Sequence, residues 1–295
     1  MAAVARFWRS RNLRESPFFQ AALEPGHGEV RYPIDLIVGR REEADRILVG
    51  LEAGVDSRSA IQGSPGIGKT TLVQYVKERA ATLGIASTER WVPLGSGAGL
   101  ESVLLQIMGE VYFALLAAGS ERISDERPMK VARQLLLAYE VQGGGATLGI
   151  ATFQAGWNRS ETPHTGAGAV LVQVPRLLRD LARVGEERGV TGGILIHLNN
   201  LENIAEADAA HAAKVLRDLR DYCLMIPGLH FLVAGTDEAV RQVISAQPQL
   251  RSVFGVPEVV EPLDPDLLPE LLDRRYEYLK IDSNRPVPPF VTERS

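Results

Sequence analysis

The chain has 295 residues, 45% of them hydrophobic, with a net charge of −5 and a pI of about 5.7. That length holds one large domain, or one domain with an appendage, around a substantial core. The acidic balance excludes a globally basic nucleic-acid-binding surface, and the single cysteine, Cys223, excludes an intrachain disulfide or a multi-cysteine metal site.

Residues 1–33 form an arm. Arg6, Arg9, Arg11 and Arg14 are not set in an uninterrupted apolar run, which argues against a secretory signal and for a soluble cytoplasmic protein. Pro17, Pro25 and Pro33 punctuate the arm, Phe18, Phe19 and Leu23 anchor it, and its arginines face either solvent or an acidic partner. The core is expected over 34–262. Asp35–Gly39 is a short apolar run before a helix with Ile47, Leu48 and Leu51 on its buried stripe. Ser59–Gln62 reads as a buried strand.

The next stretch, Gln62–Thr71, is Q-G-S-P-G-I-G-K-T-T, and it fits G-x-x-x-x-G-K-[ST]. Gly63, Gly66 and Gly68, with Ser64, Pro65 and Ile67 between them, let the backbone turn its N–H groups toward phosphate oxygens. Lys69 is placed for the β- and γ-phosphates, Thr70 for Mg²⁺, and Thr71 opens a helix whose N-terminus faces the phosphates.

Beyond this helix, Ser87–Leu94 predicts a second strand, and helices follow over 101–118 and 128–142. Gln106 and Glu110 make the first of these too polar, and its apolar part too short, to span a bilayer. Residues 143–168 lose the helical period and read as a hairpin insertion that covers the sheet or meets a partner. An amphipathic helix over 170–188 leads to a buried strand, Ile194–Leu198, which ends in Asn199-Asn200-Leu201-Glu202-Asn203. A helix over 205–225 carries Lys214, Arg217 and Arg220 on a polar face. The strand Leu229–Ala234 ends in Gly235-Thr236-Asp237, and helix 238–246, a last strand at 256–260 and helix 265–280 complete the pattern. Strand and helix alternating in this order predict a parallel sheet with crossover helices.

Ile37-Val38-Gly39-Arg40, the glycine loop, the strand ending Asn199-Asn200 and the strand ending Gly235-Thr236 together resemble an AAA+/STAND-type P-loop ATPase, of the branch similar to origin-recognition and archaeal or bacterial regulatory ATPases. The resemblance covers residues 34–280. It implies a three-layer αβα sandwich with the P-loop strand in the middle of a parallel sheet, and ATP or ADP held with Mg²⁺ at the carboxyl edge. It places Val38 and Gly39 against adenine, Thr236 as a polar sensor of the γ-phosphate, Asn199 at the metal, and residues 263–295 as a partial helical lid with Arg274 and Arg275. Thr236 is equally suited to cap the following helix. Arg251, or Arg241 after it, is the candidate to complete a neighbouring subunit's site, which requires self-association. A protein partner or DNA is a further expectation, and a membrane is not. The absence of an N-K-x-D segment argues against a GTPase.

The chain departs from that pattern at Asn199 and Asn200, where the family carries Asp and Glu. An amide brings no charge to Mg²⁺ and takes no proton from water; Asn200 only positions it. Three readings stay open: a slow ATPase acting as a switch, a carboxylate supplied instead by Glu202 or Asp237, or a non-hydrolysing nucleotide-binding adaptor.

Overall fold

The computed structural model describes residues 2–24, 31–54, 56–119, 123–141 and 167–286. The hairpin expected at 143–168 lies outside these apart from its last two residues, which open a helix, as does the tail 287–295. In chain order the helices are α1 (Ala2–Ser10), α2 (Arg41–Glu52), α3 (Lys69–Ala81), α4 (Leu100–Ala118), α5 (Arg127–Val141), α6 (Ala167–Glu187), α7 (Leu201–Ala207), α8 (Ala209–Leu219), α9 (Asp237–Val240), α10 (Pro248–Phe254) and α11 (Leu268–Leu279). The strands are β1 (Arg58–Gln62), β2 (Ala86–Ser87), β3 (Val92–Pro93), β4 (Ile194–Asn199), β5 (Leu229–Gly235) and β6 (Glu258–Val259).

All strand pairs are parallel, in the order β2-β4-β5-β1-β6, with β3 also on β4. Side chains alternate across the sheet, so neighbouring residues serve opposite layers. Ile61, Leu195 and Leu232 pack with Ile47, Leu48, Leu72 and Val76 of α2 and α3. Ala60, Ile196 and Val233 pack with Leu104, Ile107, Leu178 and Leu216 of α4, α6 and α8. The result is the three-layer αβα sandwich of P-loop NTPases. Its P-loop strand is not central: β1 lies one strand in from the β6 edge.

Helix α4 matches the expected helix over 101–118 to within one residue. At 19 residues it is long and apolar enough to cross a membrane by length and composition, but most of it is buried in the second layer, where Leu104, Leu105, Ile107 and Met108 are fully enclosed. The helix expected over 205–225 is instead α7 and α8, separated at Asp208. Asp208 Oδ1 caps α8 by accepting from Ala210 N (2.9 Å) and His211 N (3.0 Å), a stronger claim on the chain than continuous helical propensity.

The strand expected over 87–94 is also broken. Ser87 pairs with Leu195 and Val92 with Leu198, so four residues, Thr88–Trp91, stand against two. The buried Lys77 of α3 donates from Nζ to Thr88 O at 2.7 Å where the ladder is interrupted. Burial pushes the Lys77 ammonium down to about 8, and the charges of Glu110 and Glu89 oppose the shift. Below that value Lys77 is charged in both the folded and unfolded chain, and the burial penalty stands. Between it and the ordinary lysine value, the unfolded chain binds a proton that the folded one has released, so stability rises with pH. Wild type is expected to gain about 2–3 kcal/mol relative to Lys77→Met across that interval, measured by denaturant unfolding at each pH. Parallel curves for the two proteins would refute it.

The two ends of the chain form one unit. Arg14 N donates to Leu279 O (2.9 Å) and Ile281 N to Asn12 O (3.0 Å). Asn12, at φ +63°, donates from Nδ2 to Asp282 O (2.8 Å) and Arg285 O (2.7 Å), and its Oδ1 accepts from Asp282 N (3.0 Å). Asn12→Ala removes three buried hydrogen bonds at a left-handed position and is expected to cost about 2–4 kcal/mol. Urea unfolding checks this, and an unchanged midpoint would sink it.

Helix α11 carries the two arginines of the expected partial lid. Arg274 Nη1 donates to Ile37 O (2.9 Å), and Arg275 Nη1 donates to Pro17 O (2.9 Å) with its guanidinium 4.1 Å from the Phe19 ring centre. Arg275 is thus occupied in holding the arm, and Arg274 in holding the backbone ahead of α2.

Candidate nucleotide site

In a parallel sheet every strand delivers its following loop to the same edge. Here that edge collects the loop Gly63–Gly68 after β1, Asn199-Asn200 after β4, Thr236-Asp237 after β5 and Val260–Leu263 after β6. Gln62 pairs with Gly235, and Leu198 pairs with Val233. Extending that register puts Asn200 level with Gln62, two strand spacings or roughly 10 Å away.

The glycine loop is built as its spacing predicts. Gly66 (φ +76°) and Gly68 (φ +102°) adopt the left-handed backbone that glycine favours, and a Cβ on either would meet no atom within 4 Å, so the space over the loop is open. Gly63 is required by packing instead, since a Cβ there would lie 2.9 Å from Val260 O. The first helical bond of α3 runs from Leu72 N to Gly68 O (2.9 Å), and no side chain caps the amides before it. Those free amides and the helix dipole favour an anion over the loop. Ser64 and Pro65 are exposed, and Ile67, Thr70 and Thr71 are half-buried.

Lys69 folds back across this loop, donating from Nζ to Gly63 O (2.8 Å) and Ser64 O (3.0 Å). Burial lowers its pKa, and the carboxylates of Glu202 and Asp237 act in the opposite direction. Both acidic residues therefore lie within the electrostatic reach of the loop lysine.

The β4 edge is less regular. Asn199 is buried and its carbonyl accepts from Leu94 N at 3.0 Å. Asn200 is left-handed (φ +62°, ψ +46°), a conformation Asn tolerates better than most side chains, and α7 starts immediately after it. The turn puts Glu202 in the first turn of α7, and Glu202 Oε2 is enclosed without a hydrogen-bond partner among the described residues. A buried carboxylate oxygen left unpaired is costly, and such an atom beside a phosphate loop marks a place for water or ligand. Sequence reasoning had this residue on a loop; the left-handed Asn200, a residue type enriched in that conformation, was the available signal.

Thr236 caps α9, its Oγ1 accepting from Ala239 N at 3.3 Å. Of the two readings of this residue, the cap is the one the hydrogen bond supports. Thr71 is likewise turned from the loop, its Oγ1 accepting from Leu23 N of the arm at 3.4 Å.

Val38 is buried, and Arg40 binds the segment to the loop, donating from Nη2 to Ile67 O (3.1 Å) and from Nη1 to Glu43 (3.0 Å). Gly39 has φ +66°, and a Cβ there would lie 2.5 Å from Leu267 Cδ1. This backbone walls a cleft of about 700 Å³ with Val38, Arg41, Tyr75, Leu263 and Leu267, which is large enough for a base and partly apolar.

Among the described residues no three His, Cys, Asp or Glu side chains converge as a metal site. The donors at the loop edge, the Thr70 hydroxyl and the Asn199 amide, fit a hard cation that keeps most of its waters and binds chiefly through phosphate, as Mg²⁺ does.

Arg251 is exposed on α10 and makes no ion pair among the described residues, while Arg241 pairs with Glu238. On the polar face that carries Lys214, Arg217 and Arg220, Lys214 pairs with Asp218 (2.6 Å) and Arg220 with Asp221 (2.9 Å), while Arg217 donates to the neutral side chain of Gln247 (3.1 Å).

No protein-family model and no curated protein matches the chain. Among solved structures it is similar to the Aeropyrum pernix ORC2 protein in its ADPNP–ADP complexes, at 18% identity and a TM-score of 0.45, covering 88% of this chain and 55% of that one. The ADP form of the same protein gives 17% identity, a TM-score of 0.43 and the same coverage. A Walker-type ATPase of Pyrococcus abyssi gives 15% identity and a TM-score of 0.43, over 84% of this chain and 61% of that one. The chain thus spans little more than half the length of these proteins.

Proposed function

We propose that this chain is an ATP-binding switch that hydrolyses ATP slowly. The observation that carries the proposal is the open glycine cradle with Lys69 docked on the loop's own carbonyls and an unpartnered Glu202 oxygen at the same edge. On binding, Lys69 leaves Gly63 O and Ser64 O for the β- and γ-phosphate oxygens, and the free amides of the loop and α3 take the rest. The base enters the cleft beside Val38 and Gly39. Thr70 and Asn199 hold Mg²⁺, which supplies charge neutralisation on the phosphates.

Asn200 orients the attacking water but accepts no proton. Glu202 takes that proton as the new bond from water oxygen to the γ-phosphorus forms and the bond to the ADP oxygen breaks, giving ADP and inorganic phosphate. Slow turnover follows from a base held on a helix turn rather than at the strand end.

Regulation works through populations: ATP and ADP stabilise different arrangements of the loop edge, and a partner or a second copy reads the difference. Arg251, exposed and without an ion pair among the described residues, is the residue we assign to a neighbour's site in such a pair. The pairing of Lys214 and Arg220 with neighbouring carboxylates disfavours DNA as that partner.

Mg²⁺-dependent phosphate release by wild type and Lys69→Ala tests the reading. Release above background in wild type and its loss in the variant is the expected result. Equal backgrounds with nucleotide still bound would replace the switch with a non-hydrolysing adaptor.

A further inference from the structure

Beneath α3, against the β2–β3 edge, lies a group of buried polar atoms that the nucleotide cradle does not use. Lys77 is 4% exposed and His197 is fully buried. Both ring nitrogens of His197, the Thr88 and Ser87 hydroxyls and Gln74 Oε1 are enclosed without a partner among the described residues. Burial holds His197 well below its ordinary value, and the Lys77 charge acts in the same direction. Glu110 comes in from α4, accepting from Arg90 N at 3.3 Å, and Trp91 stands edge-on to His197 with ring centres 6.4 Å apart. Gln74 lies one turn before Lys77 on the same buried side of α3. Unpaired polar atoms at this density require water to satisfy them.

The group sits where the edge strand is interrupted. The two surplus residues of Thr88–Trp91 are absorbed opposite Ile196 and His197, and Lys77 holds the carbonyl at the start of that bulge. Past it, β3 rejoins β4 with Pro93 against Asn199 and Leu94 N on Asn199 O. Bulges of this kind re-aim a strand beside a functional site.

We infer that Lys77 is a positioning residue: with ordered water on Gln74, Thr88 and His197, it holds the bulge that brings β3 into register with Asn199 and so fixes the metal end of the nucleotide site. The inference rests on the assignment of Thr70 and Asn199 to Mg²⁺ above. It links α3, which begins in the phosphate loop, to the end of β4 through the protein interior.

Lys77→Met and Lys77→Arg in the full chain test it with two measurements. One is hydrogen exchange at the Leu94 amide in nucleotide-free protein. The other is the Mg²⁺ concentration that half-saturates the metal-dependent part of ATP binding. In Lys77→Met, Leu94 is expected to exchange roughly tenfold faster, because its bond to Asn199 O opens more often. The Mg²⁺ requirement is expected to rise roughly tenfold, the usual effect of removing a group that orients a ligand, with ATP affinity in EDTA unchanged. Lys77→Arg, which keeps the cation and its donors, is expected to stay near wild type in both.

A folded Lys77→Met with wild-type exchange at Leu94 overturns the inference, as does a Mg²⁺ requirement that moves equally in both variants. Should Lys77→Met not fold, Glu110→Gln, which removes the opposing charge, is put through the same two measurements, and no change in either overturns it. Binding of ATP by wild type with no Mg²⁺ dependence would instead overturn the assignment of Thr70 and Asn199, while the exchange measurement still judges the register.

Discussion

Glu202→Gln is expected to lower kcat for ATP hydrolysis by about 10²–10³-fold, within the range that a positioned general base contributes. The amide keeps the size and half the acceptors of the carboxylate but accepts no proton. ATP affinity should change little or improve slightly, because the substitution removes a negative charge near the phosphates. Phosphate release under single-turnover conditions, alongside equilibrium nucleotide binding, separates the two effects. A variant with wild-type turnover would return the water to Asn200 and leave Glu202 without a catalytic role. Asn200→Ala is the complementary change. If Asn200 only orients, its loss costs less than that of Glu202, although Ala is strained at φ +62° and the protein should be somewhat less stable for that reason alone. Asn200→Glu tests the slow-switch reading from the other side. A carboxylate at the strand end should raise turnover, at a stability cost of about 1 kcal/mol for a non-glycine, non-Asn residue in the left-handed region.

What the sequence could reveal here followed from how local each signal is. The glycine loop was legible because its backbone demands are met within six residues, and Gly66 and Gly68 have the positive φ that their spacing implied. The order of strands was legible because β1, β4 and β5 are short apolar runs bounded by turn residues. The bulge was not legible. It depends on Lys77 reaching from another element to Thr88 O, and nothing near Ser87–Leu94 announces that. A faint signal existed in single ionisable residues inside apolar runs: His197 in β4 and Glu110 in α4, both of which belong to the buried group. The docking of the arm on α11 was beyond reach for a similar reason. Asn12 and Asp282 are 270 positions apart, and the Arg274 and Arg275 side chains suit a phosphate as well as they suit backbone carbonyls.

The position of Glu202 is an intermediate case. Its identity and its distance in sequence from Asn199 were visible, so it could be named as a substitute carboxylate. Its enclosure could not be seen, since that depends on α7 beginning at Leu201 and packing against β5, where a Cβ on Gly235 would come within 2.9 Å of Leu201 Cβ.

Lys69→Ala is expected to weaken ATP binding by at least about 10²-fold, because two charge-assisted hydrogen bonds to phosphate are worth roughly 1.5–3 kcal/mol each. Loss of binding on such a substitution could also come from collapse of the loop, and the structure separates the two causes. Without nucleotide, Lys69 donates to Gly63 O and Ser64 O, and at the exposed Ser64 water can take its place. Its pKa is held down by burial, so the charged amine is not a strong stabilising element of the empty site. The variant should therefore unfold within a few degrees of wild type in the absence of nucleotide, since a stability change of about 1 kcal/mol shifts the midpoint of a large domain only slightly. It should also lose most of the upward shift that ATP-Mg²⁺ gives wild type by mass action. A large fall in apo stability would mean that Lys69 is structural and the loop is held by it. Equal ATP-induced shifts in both proteins would mean that nucleotide, if bound, is not held by this lysine, and the phosphate cradle would have to be sought elsewhere on the sheet edge.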